Sequence, residues 1–170
     1  MKNMDKQIKR NKICFGLGTV GRDALYSLVS MYLLVHLTDV VGFSDSGLAV
    51  IGVMLTLFGI FDAVIDPFVG AIVDSTKTKW GKFKPWILLG AVLTGGILLL
   101  MFNLRPFGTQ EVYGWIYVGL MTVIYLLWEA AFTMNDIGYW GAIPSLSRDR
   151  KKRDQLTSLT IFFAGIGSGA

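Results

Sequence analysis

Phe61-Asp62-Ala63-Val64-Ile65-Asp66-Pro67 decides how this chain is read. Two carboxylates stand four residues apart, so on a helix they lie one turn apart on the same face. The surrounding run, Leu48 to Val73, is otherwise almost free of charge and long enough to cross a hydrocarbon core. A carboxylate at the middle of a bilayer costs about 2.5–3.5 kcal/mol even on the most lenient scale. Two of them, beside a proline that loosens the backbone hydrogen bonding, point to a cation site. The plain alternative is that both are protonated or paired with basic residues of a neighbouring helix.

The rest of the composition fits a membrane. The chain is 53% hydrophobic, has 20 glycines and only 16% charged residues, and its mean hydropathy is +0.55. That is too apolar for an ordinary soluble domain. Apolar runs near 14–37, 48–73, 85–102, 112–143 and 156–170 predict an all-α polytopic protein with four spans and the start of a fifth. The last run is too short for a full crossing, and the expectation is a truncated N-terminal part of a longer transporter. The first run follows a basic segment without a small-residue cleavage site, and so reads as a retained helix.

Lys and Arg cluster at Lys2–Lys12, Lys77–Lys84 and Arg148–Arg153, leaving only Arg22 and Arg105 elsewhere. If every run crosses, all three clusters fall on one side, which the positive-inside rule makes cytoplasmic together with the N-terminus. The net charge of +4 is therefore a topology signal, with no nucleic-acid partner implied. Trp80, Trp86, Trp115 and Tyr117 are expected at the membrane interfaces. The single Cys14 excludes a disulfide framework.

Two further constellations carry candidate chemistry. In the first run, Gly18 and Gly21 permit close helix approach. Arg22 and Asp23, expected to point in different directions, suit a hydrophilic cavity or an interhelical ion pair. In the fourth run, Glu129, Thr133, Asp136 and Trp140 share one helix face. An acid beside a tryptophan suits a sugar, whose hydroxyls bind the acid and whose C–H face packs on the indole. The role of Glu129 is left open. Catalysis has little support. An intramembrane aspartyl protease would draw its two aspartates from different helices, whereas Asp62 and Asp66 are neighbours. The lone His36 reads as interfacial, no nucleotide-binding loop is present, and no cofactor is expected beyond a coupling ion.

Four stretches carry a resemblance: GRD (21–23), HLTDVVG (36–42), FDAVIDPFVGAIVDSTKTKWGKFKPWILLG (61–90) and TMNDIGYWGAIPSLSRDRKKRDQL (133–156). They resemble the glycoside–pentoside–hexuronide:cation symporter family, the melibiose-permease-like branch of the major facilitator superfamily. The resemblance implies cation-coupled symport of a sugar across the cytoplasmic membrane. It assigns Asp23, Arg22, Asp136 and Trp140 to the sugar, and Asp62, Asp66 and Thr133 to a proton or Na+. Asp74, Lys77, Gly81 and Lys82 fall in the superfamily's cytoplasmic gating loop. Ile65 stands where sodium-coupled members have an asparagine, which favours a proton. Ile161 stands where they have a sugar-contacting arginine, which implies a different sugar. It also implies a missing C-terminal half that would supply the opposing wall of the site. A transporter of another solute, and a non-transporting membrane fragment, are the remaining readings.

Overall fold

The computed structural model describes residues 2–42, 45–104, 112–146 and 150–169, with side chains from residue 13 onward except Phe61 and 112–114. Among these residues the chain is all-α. Its order is α1 (Lys2–Val35), a π-turn at His36–Val40, α2 (Asp45–Ser75), α3 (Lys84–Asn103), α4 (Val112–Leu146) and α5 (Arg150–Gly169). Arg105 and Arg148 of the charge pattern lie outside the described residues.

Lys84–Asn103 and Trp115–Leu146 are long and apolar enough to cross a membrane. A third candidate is α2 as a bent pair, Asp45–Ile60 and Asp62–Ser75, meeting at 43°. Pro67 also lies inside α2, where it cannot donate to the Ala63 carbonyl. Charges dilute the other two helices: Arg22 and Asp23 interrupt α1, and α5 begins Arg150-Lys151-Lys152-Arg153. Large apolar side chains such as Val92, Leu99, Ile116 and Val123 face outward from α3 and α4. A water-soluble protein would bury that surface, but here it suits lipid.

The chain divides into two compact units, one formed by Met1–Ser30 with Trp140–Ala170, the other by Met31–Tyr139. In the first, α1 and α5 approach closely through Gly16 and Gly167. A Cβ on Gly167 would lie 2.5 Å from the Val20 carbonyl oxygen. Gly21, in contrast, has open space where a Cβ would point, so this expected glycine is not part of the close approach.

In the second unit, α3 packs on α4 almost backbone to backbone. A Cβ on Gly90 would meet Asn135 Cβ at 2.7 Å and the Ala131 carbonyl at 2.9 Å. Hydrogen bonds hold both ends of α3. Tyr117 is 3% exposed and its hydroxyl donates to the Leu104 carbonyl at 2.7 Å. Trp86 Nε1–H donates to Thr76 Oγ1 at 2.9 Å. These two aromatics hydrogen-bond across helix junctions, while Trp80 and Trp115 are exposed. Position along a span says how deep a ring sits, but not which way it faces.

Candidate functional site

The acidic turn of α2 meets the polar stripe of α4. Thr133, 6% exposed, donates its hydroxyl to Asp62 at 3.1 Å from Oδ1 and 3.3 Å from Oδ2, joining residues 71 apart in sequence. A cleft of about 180 Å³ opens here, lined by Phe58, Asp62, Ile65, Val69, Glu129 and Thr133 with their apolar neighbours on α4. Glu129, left open by the sequence, enters this wall: its carboxyl bonds Tyr125, while Oε2 is buried without a hydrogen-bond partner. Asp66 is exposed one turn beyond Asp62 and lies outside the cleft lining. Among the described residues, no three His, Cys, Asp or Glu side chains gather as a metal cluster would. An ion at this place would rely on a carboxylate together with neutral oxygens.

Of the residues expected to bind sugar, Arg22, Asp23 and Trp140 belong to the first unit and Asp136, partly buried, to the second. Arg22 folds back onto Asp23, with Nη2 at 2.7 Å and Nε at 2.9 Å from the same Oδ1. The two side chains are only 10% and 14% exposed. The expectation that neighbours on a helix could not face each other is thereby corrected. Their Cβ vectors do diverge, but a guanidinium on three methylenes reaches across. The guanidinium carbon also lies 5.4 Å from the centre of the Trp140 ring, within cation–π range. Asp23 Oδ2 is buried without a hydrogen-bond partner. The result is a neutral pair beside an aromatic face, with one acceptor oxygen to spare.

The loop between α2 and α3 is tightly built. Lys82 Nζ lies 2.8 Å from Asp74 Oδ1. Thr78 Oγ1–H donates to the Gly81 carbonyl at 2.6 Å, and the Gly81 N–H returns to the Thr78 carbonyl at 3.0 Å. Gly81 has φ of +98°, a conformation that a side chain would strain. Lys77 is exposed. Pro85 sits in the first turn of α3, where its missing N–H has no helical partner to lose.

Each compact unit thus holds an acidic place among apolar helices, Asp23 with Arg22 in the first and Asp62 with Thr133 in the second. Residues 14–170 match the family described as MFS/sugar transport protein, and the chain belongs to it. It is 36% identical to a lactose permease of Lactobacillus helveticus, over 90% of this chain and 25% of that protein. It is 29% identical to a raffinose carrier protein of Pediococcus pentosaceus, over 93% of this chain and 25% of that one. A putative glycoside/cation symporter of Escherichia coli, YagG, is 32% identical over 97% of this chain and 34% of its own length. These relatives are named as permeases, carriers and symporters, not as enzymes. The chain spans about a quarter to a third of their length.

Proposed function

We propose that the full-length protein carries a sugar or glycoside across the cell membrane together with a monovalent cation, Na+ or H+. The observation that carries this reading is the Thr133–Asp62 contact in an open cleft. There a carboxylate among apolar helices is met by a neutral hydroxyl and not by a base. Its charge is stabilised but not cancelled, so a cation has a place to bind. Asp66, one turn on, would receive or relay the ion.

The sugar would engage Asp23, Arg22, Asp136 and Trp140. The two carboxylates would accept from hydroxyls, and the indole would pack on the ring. The names of the relatives, lactose permease, raffinose carrier and glycoside/cation symporter, favour a glycoside over another solute. Thr133 and Trp140 both stand on α4. Cation binding would raise sugar affinity, and by reciprocity sugar would raise cation affinity by the same factor. The basic loops and the N-terminus are assigned to the cytoplasm by their Lys and Arg bias. Asp74, Lys77, Gly81 and Lys82 would then form a cytoplasmic gate.

The test is uptake of a panel of labelled glycosides by the full-length protein in vesicles, with a Na+ or a proton gradient imposed separately. Accumulation of at least one glycoside driven by one of the gradients is expected. Equal uptake with and without either gradient would overturn the reading.

A further inference from the structure

Two faces of α4 are engaged within the second unit. On one face Glu129, Thr133 and their neighbours line the cleft with α2. On the other, Ala131, Asn135 and Gly138 lie against α3. At about 100° per residue, Asn135 projects about 160° away from Thr133, nearly opposite it.

Asn135 is 5% exposed, and its Nδ2–H donates to the Ile87 carbonyl on α3 at 2.7 Å. Burying an amide among apolar helices is costly unless it finds a partner, so this bond favours one rotational setting of α4 over its neighbours. The setting has little slack. Gly90 leaves no room for a Cβ beneath Asn135, and a Cβ on Gly138 would lie 3.3 Å from both Trp86 Cβ and Ile87 Cγ1. The start of α3 is itself held, because Trp86 donates to Thr76. A threonine hydroxyl about 4.5 Å from the helix axis moves about 1.5 Å when the helix turns by about 20°. That is enough to part Thr133 from Asp62.

We infer that Asn135 is a positioning residue for the cation site: it clamps the back of α4 to α3 so that the front keeps Thr133 on Asp62. The inference rests on the transport reading for its consequence, but not for its geometry. Two measurements on the full-length protein separate them.

In membrane vesicles, Asn135→Leu should raise the cation concentration for half-maximal stimulation of sugar binding roughly fivefold, the size expected for one lost hydrogen bond. Sugar affinity at saturating cation should change less than about twofold. Gly90→Ala, which disturbs the same contact from α3, should show the same split and serves if Asn135→Leu fails to insert. Unchanged cation dependence overturns the inference, as does an equal loss of cation and sugar affinity. The second measurement needs no transport: the rate at which Asp62→Cys and Thr133→Cys form a disulfide. Asn135→Leu should slow it roughly fivefold, and an unchanged rate overturns the clamp. A wild type without cation stimulation refutes only the transport reading, and the disulfide rate still decides the role of Asn135.

Discussion

Asp23 and Asp62 are both carboxylates among apolar helices, and the chain treats their charges in opposite ways. Asp23 is neutralised by the residue beside it, Arg22, in a pair that is 10% and 14% exposed. Asp62 is met by Thr133 from a different helix, a neutral donor at 3.1 Å. A compensated pair keeps hydrogen-bonding capacity while losing net charge, which suits an uncharged ligand rich in hydroxyls. A carboxylate met by a hydroxyl has no counter-charge in that contact, which suits a cation. The difference fits the proposed roles, sugar at Asp23 and ion at Asp62.

The sharpest way to break this contrast is to strip the compensation from Asp23. Arg22→Met leaves a nearly buried carboxylate alone and should cost about 3 kcal/mol or more of stability, read as a lower melting temperature in detergent. The double variant Arg22→Met with Asp23→Asn should recover most of that loss. If the single variant melts like the wild type, Asp23 is not charge-compensated as described. A smaller effect is expected on the other side. Thr133→Val removes the donor and leaves the charge, so cation half-saturation should rise roughly fivefold, measured by cation-dependent sugar binding. Smallest of all is Lys82→Ala. Its ion pair with Asp74 is 39% and 68% exposed, and water screens it to about 0.2–1 kcal/mol. The melting temperature should shift by no more than a few degrees. A loss as large as that of Arg22→Met would mean that burial does not set the scale of these pairs.

Apolar runs and charge clusters made the helical class legible, because in lipid the backbone has few other ways to satisfy its hydrogen bonds. The polar stripe of α4 was legible too, since its spacing of four, three and four residues is a property of any helix. Which stripe residues meet α2 was not. Glu129 and Thr133 line the cleft with Asp62, while Asp66 stays outside it. Four residues advance a helix by about 400°, so each turn drifts about 40° off the shared face. The Arg22–Asp23 pair was missed for a related reason. Spacing rules describe where Cβ atoms point, and a long flexible side chain can reach back across that angle. The burial of Tyr117 and the clamp at Asn135 depend on how α3 lies on α4, which no single-helix pattern contains.

The most direct test of the contrast is a calorimetric titration of the full-length protein with cation and with sugar, in Asp62→Asn and Asp23→Asn. Asp62→Asn should lose cation binding, roughly a hundredfold or more in affinity as for a lost charge-assisted ligand. It should keep the sugar affinity that the wild type shows without cation. Asp23→Asn should do the reverse, losing sugar binding while its sugar-free cation affinity stays near the wild-type value. If both variants lose both ligands to the same degree, the two carboxylates share one role and the account is contradicted.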